Sequence, residues 1–257
     1  MGQKTQEILF KIQQAKPFIL NITNYFPMDL IASGLRSIGA FPIMSNTEQE
    51  IEELLNLAKS VVINLGKLDD EFIRLCNRIC RIANDRNKPI ILDPVGAGAS
   101  RYRTETSINM LKEHNISIIR GYPNELASLT DGHLTLLNDE VIDNKLVIEH
   151  ARLLSEKHNI AVVVSGRLNT VIDANRSEQF NFDSLLVRKV AGIGSLLSSI
   201  IGAFHAIEKE RFLAARSAVE FFACCVGPAT SKASGPASLK TELIDKLYIN
   251  SSEAGHW

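Results

Sequence analysis

A chain of 257 residues with 45% hydrophobic and 22% charged side chains is long enough to bury a full core and has none of the bias of a disordered or fibrous sequence. Its formal net charge of -1 comes without a long basic stripe, which excludes the phosphate-neutralising surface of a nucleic-acid binder. Cys76, Cys80, Cys224 and Cys225 make neither a disulfide framework nor a C-x-x-C zinc pair, so buried thiols in a reducing cytoplasm are expected.

In chain order, Met1 to Gln6 lead into an amphipathic segment without the apolar core of a signal peptide. The apolar periodicity predicts a helix from Lys4 to Gln14, a strand Phe18 to Ile22, a helix Met28 to Ile38, a strand Phe41 to Met44, a helix Glu48 to Ala58 and a strand Ser60 to Leu65. A helix Asp69 to Asn87, strand Pro89 to Asp93, helix Thr104 to Glu113, strand Ile116 to Arg120 and helix Asn124 to Leu129 follow. Strands alternating with helices in this way predict an α/β fold, a mostly parallel sheet with helices on both faces. The polar stretch from Thr130 to Lys145 reads as a loop. A helix Lys145 to His158 and a strand Ala161 to Val164 resume the rhythm, and Asn169 to Ile172 and Gln179 to Phe182 read as antiparallel strands turning at Asp173-Ala174-Asn175. Helices Ser195 to Lys209, Ala214 to Ser231 and Ser238 to Leu247 close the chain, and with no repeat or linker residues 1–257 read as one domain.

The organising stretch is Lys189 to Ser199, where Gly192 and Gly194 open an apolar helical run. Glycines allow a sharp turn and close approach of a ligand, and the first-turn N–H groups behind them have no intrahelical partner, which makes an anion site. A glycine turn ahead of a core helix is an equal reading on this stretch alone. Ala191 to Ile207 carry no Asp, Glu, Lys or Arg, but their 17 residues include three serines and His205, which favours a buried helix over a membrane span.

Ligands of such sheets sit beyond the carboxyl ends of the strands. Asp93 and Glu125 fall in two of those loops and suit a Mg²⁺ that keeps several waters and touches phosphate, with a helix cap as the competing reading and the favoured one for Glu125 taken alone. Arg120 ends an apolar strand, where its fork can grip a phosphate or serve a surface ion pair. Gly34 to Gly39 has Walker spacing, but Ala40 stands in the lysine position. Gly96-Ala97-Gly98 lacks the third glycine of a dinucleotide fingerprint.

Read together, Asn21-Ile22-Thr23-Asn24, Gly39-Ala40-Phe41-Pro42-Ile43-Met44, Val62-Ile63-Asn64-Leu65-Gly66, Leu92-Asp93-Pro94-Val95-Gly96-Ala97-Gly98, Arg103-Thr104-Glu105, Ile119-Arg120-Gly121, Val164-Ser165-Gly166, Lys189-Val190 with its glycines and Gly235-Pro236 resemble, in order and over nearly the whole chain, the hydroxyethylthiazole kinases of the ribokinase-like superfamily. The resemblance implies a cytoplasmic, homotrimeric enzyme that uses ATP and Mg²⁺ to phosphorylate 4-methyl-5-(2-hydroxyethyl)thiazole. It implies that Met44 and Gly192 contact the thiazole, that Asn24, Arg120 and Ser165 serve the nucleotide, that Asp93 and Glu125 serve the metal, and that Gly192, Gly194 and Ser195 form the catalytic turn. Ser195 departs from the family's cysteine, Ile193 from a small residue, Tyr122 from the asparagine of N-x-x-E, Leu20 from a polar residue and Ser33 from an asparagine. Ile193 is expected to bring bulk beside the anion site. A ligand-binding homologue without turnover and a kinase of another small alcohol are the alternative readings.

Overall fold

The computed structural model describes residues 1–131, 144–166, 168–181 and 184–252. Ten α-helices and eight strands occur among them, in the order α1 (Gln3–Ala15), β1 (Phe18–Ile22), α2 (Met28–Ser37), β2 (Phe41–Met44), α3 (Ile51–Leu57), β3 (Ser60–Asn64), α4 (Asp70–Asp85), β4 (Ile90–Asp93), α5 (Arg101–Glu113) and β5 (Ile118–Gly121). Then come α6 (Pro123–Asp131), α7 (Asn144–His158), β6 (Ala161–Val164), β7 (Asn169–Asp173), β8 (Arg176–Phe180), α8 (Ile193–His205), α9 (Arg211–Lys232) and α10 (Pro236–Ser252).

All the strands join one sheet in the order β2-β1-β3-β4-β5-β6-β7-β8. The first six run parallel, and β7 and β8 are added antiparallel at one edge. Because side chains alternate across a strand, one set of strand residues, Ile19, Val62, Ile91, Ile118 and Val163, meets α1, α2, α8, α9 and α10. The other set, Leu20, Val61, Ile63, Ile90, Leu92 and Val162, meets α3 to α7. Both faces of the central strands are therefore dry, which accounts for their unbroken runs of Ile, Leu and Val. The predicted layer order is the observed one.

Local chemistry moves several predicted boundaries. Helix α5 begins at Arg101 and not at Thr104, because Ser100 caps it by accepting from the Arg103 N–H at 3.2 Å. Helix α3 starts at Ile51 and not at Glu48, since Ser45 takes the Thr47 N–H at 3.0 Å and holds residues 48–50 in turns. Strand β8 runs Arg176–Phe180 and not Gln179 to Phe182: Asp173 and Arg176 pair in register and as an ion pair at 2.7 Å, so the hairpin turns on Ala174 and Asn175 alone. Phe182 and most of the expected Thr130 to Lys145 loop lie outside the described residues.

Helix α8 replaces the considered membrane span with a core element whose residues from Leu196 onward are all buried. It presses close to its neighbours. A Cβ on Gly202 would stand 2.8 Å from Val62, and one on Gly34 of α2 would stand 2.4 Å from Leu196. Helix α9 is long and apolar enough to cross a membrane, yet Phe212, Phe221, Phe222 and Val226 are buried in the fold.

Candidate active site

The polar residues that end the parallel strands converge on one end of α8. Asn21 of β1, Asn64 of β3, Asp93 of β4 and Arg120 of β5 are each 3% exposed or less, far below what such side chains show without a partner. Their partners come largely from the serines and glycines of α8. Ser199 donates to Asn21 Oδ1 at 2.7 Å, Ser198 donates to Asp93 Oδ2 at 2.8 Å, and Asn64 Nδ2 donates to Ser195 Oγ at 3.0 Å. Gly194 lies under the Arg120 guanidinium, where a Cβ would come within 2.4 Å of its Nη1. The serines counted against a membrane helix are thus the stitches between helix and sheet.

Gly192 caps α8 with φ +89°, a left-handed conformation that glycine adopts without strain. The first intrahelical donor is Leu196, whose N–H reaches Gly192 O at 2.9 Å, so the amides of Ile193, Gly194 and Ser195 precede the ladder at the positive end of the helix dipole. Ile193, expected to bring bulk beside the anion site, is 6% exposed and packs into the core.

Arg120 is held from three sides. Its Nε donates to Ser165 Oγ at 2.8 Å, its Nη1 lies 3.7 Å from Asp93 Oδ1, and its Cζ lies 4.4 Å from the Tyr122 ring centre. The tyrosine that departs from the family pattern therefore braces the guanidinium by a cation–π contact. Asp93 Oδ1 is buried without a hydrogen-bond partner, and burial raises the Asp93 carboxyl above its ordinary range against the pull of Arg120, Ser198 and Asn64.

Glu125 is the helix cap that its sequence context favoured. Its Oε2 accepts from the Tyr122 N–H at 2.8 Å, the capping-box contact of α6, while Oε1 reaches across to the Gly96 N–H at 2.8 Å. Burial, with Asp93 adding repulsion, pushes its carboxyl up to about 7 from 4.5. The folded chain then holds an extra proton between those values. The stability this group contributes is full below about 4.5 and is lost as pH rises through about 7. Chemical unfolding of the ligand-free protein should show that loss, on the order of 3 kcal/mol, and a Glu125→Ala variant should not; equal pH profiles would refute the assignment.

Asn24 lies against Gly66, whose added Cβ would stand 2.7 Å from its Nδ2, and its Oδ1 takes the Phe26 N–H at 3.2 Å. Met44 ends β2, in register with Asn21, and packs on the α8 side of the core. The structure thus gathers Asn24, Asp93, Arg120, Glu125, Ser165, Gly194 and Ser195 at the carboxyl ends of the strands, with Met44 at the edge. Two members were named in the sequence only within longer motifs: Asn64, and Arg103, which donates to the carbonyls of Leu65, Val95 and Gly66 at 2.8, 2.9 and 3.2 Å and ties the β3 and β4 ends together. Among the described residues no three His, Cys, Asp or Glu side chains come together as a metal cage. Asp93 with an unpartnered oxygen beside Glu125 fits a hard cation that takes one or two carboxylates and otherwise water and phosphate.

Comparison with known proteins gives one pattern. Residues 9–253 match the model of the hydroxyethylthiazole kinase family. A hydroxyethylthiazole kinase of Chlamydia caviae is 36% identical over 251 residues, covering 96% of this chain and 95% of the relative. The solved hydroxyethylthiazole kinase protein of Pyrococcus horikoshii superposes with a TM-score of 0.89 at 30% identity, covering 98% and 96% of the two chains. A ribokinase-like superfamily protein of Enterococcus faecalis shares the fold, with a TM-score of 0.69 at 13% identity and coverage of 98% and 95%.

Proposed function

The chain belongs to the hydroxyethylthiazole kinase family, and we propose from that premise that it transfers the γ-phosphoryl group of ATP to the primary alcohol of 4-methyl-5-(2-hydroxyethyl)thiazole, a salvage step of thiamine synthesis. The observation that carries this reading is the meeting of the α8 first turn with Arg120 and Asp93 at the carboxyl ends of the strands. Phosphoryl transfer is loose, so positioning and charge neutralisation supply most of the acceleration. The amides from Ile193 to Ser195 and the fixed guanidinium of Arg120 take up charge on the transferred group. Ser165 keeps that guanidinium in place, and Asn24 serves the nucleotide. Ser195 orients the acceptor hydroxyl, and Met44 and Gly192 contact the thiazole ring. A magnesium ion, when bound, supplies further neutralisation of the phosphates, and Asp93 and Glu125 are the residues that would hold it.

The test is direct. Protein, ATP, Mg²⁺ and the thiazole alcohol should yield the thiazole phosphate and ADP, and each ligand should raise the melting temperature with its concentration. No phosphorylated thiazole, with melting raised by the alcohol and not by ATP, would overturn the reading. We also propose that the enzyme is cytoplasmic and a homotrimer in which the Asn24 and Met44 loops of one subunit meet another. Tyr25 and Phe26 support the trimer, since they stand 81% and 74% exposed directly after Asn24. Light scattering at micromolar concentration should give three times the chain mass; a monomer would reject it.

A further inference from the structure

Asn64 ends β3 at 3% exposure and uses both N–H donors and one lone pair of its side-chain amide. Its Oδ1 accepts from the Gly66 N–H at 3.0 Å, and a flipped amide would set its NH₂ against that donor, so the orientation is fixed. The two Nδ2 hydrogens then point to two elements: Asp93 Oδ2 on β4 at 3.0 Å and Ser195 Oγ on α8 at 3.0 Å. A hydroxyl that already receives an N–H keeps its own O–H and one lone pair for a ligand, and is a poorer proton acceptor for it.

We propose that Asn64 is a positioning residue for the transfer: by donating at once to Asp93 and Ser195 it registers the turn of α8 against the strand ends and presents Ser195 as a hydrogen-bond donor to the reacting groups. This rests on the kinase reading above. It differs from a plain strand-end plug because the effect runs through Ser195. A plug would cost stability and leave the two residues independent; a positioning residue costs turnover, and its loss is absorbed once the Ser195 hydroxyl is gone.

The experiment measures kcat, the KM values for ATP and thiazole alcohol, and melting temperature for the full chain carrying Asn64→Ala, Ser195→Ala and both. Asn64→Ala should lower kcat about tenfold with the KM for ATP within about twofold, and in the Ser195→Ala background it should cost less than about twofold more. Asn64→Ser, short of the reach needed for both partners, should reproduce the kcat loss, and it takes over the test if the alanine variant does not fold. A kcat at the wild-type level in these Asn64 variants, or losses that multiply in the double variant, overturns the proposal while leaving the kinase reading intact. A wild-type chain without thiazole phosphorylation is the separate failure of that reading.

Discussion

Arg120→Ala is expected to lower kcat about 1000-fold and to destabilise the fold by about 3 kcal/mol. The first effect follows from removing a buried, fixed cation beside the α8 turn. The second follows from Asp93, which is fully buried, already raised above the ordinary carboxyl range by burial, and left without the opposite charge 3.7 Å away. Arg120→Lys should recover a small part of kcat at most. An ammonium keeps the charge, but it lacks the planar fork that bonds Ser165 at 2.8 Å and lies 4.4 Å from the Tyr122 ring centre. Steady-state kinetics and denaturant titration check both effects. An alanine variant within about tenfold of wild-type kcat would show that charge neutralisation does not rest on this residue.

Gly194→Ala should separate activity from stability in the other direction. The position is helical, and alanine favours a helix over glycine by about 1 kcal/mol. The obstacle lies outside the helix: the new methyl would meet Arg120 Nη1 at 2.4 Å, Nη2 at 2.7 Å and Cζ at 2.8 Å. Ser165, Asp93 and Tyr122 hold the guanidinium, so it can leave only by giving up contacts that aim it. A displacement of about 1 Å costs on the order of 100-fold in rate. The expected variant melts within a few degrees of wild type and has lost about 99% of its kcat. Gly192→Ala should differ, because its φ of +89° puts the strain into the backbone and lowers stability as well. Full activity in Gly194→Ala would mean that Arg120 has slack its contacts do not suggest.

The parallel strands were legible because each is a short apolar run between helical periodicities, and burial on both faces leaves that pattern no competitor. The gathering of polar residues at the strand ends was legible for the same reason. Residue pairings were not. Ser198 and Ser199 read only as polar interruptions of an apolar helix, since their partners Asp93 and Asn21 lie 105 and 178 residues away and meet them only in the finished fold. Asn64 read only as an interior residue of a predicted strand and of a family motif. Glu125 was legible as a cap, because a carboxylate three residues past Tyr122 fits that pattern; its bond to the Gly96 N–H was not, since that loop lies 29 residues away. The β8 strand was displaced in the prediction because its solvent-facing polar residues, Arg176, Ser177 and Glu178, carry no apolar alternation to fix its start.

The serine in the first turn of α8 also sets how the site meets oxidants. A cysteine there, beneath unpaired amides and near an arginine, would stand where thiolates form and are oxidised. This chain keeps its thiols elsewhere: Cys76, Cys80 and Cys225 are buried, and burial raises each thiol, Cys80 to about 12, which holds these three protonated, while Cys224 is half-buried on α9. The hydroxyl of Ser195 undergoes none of that chemistry, so under the proposed mechanism the turn itself does not couple to the thiol redox state of its surroundings.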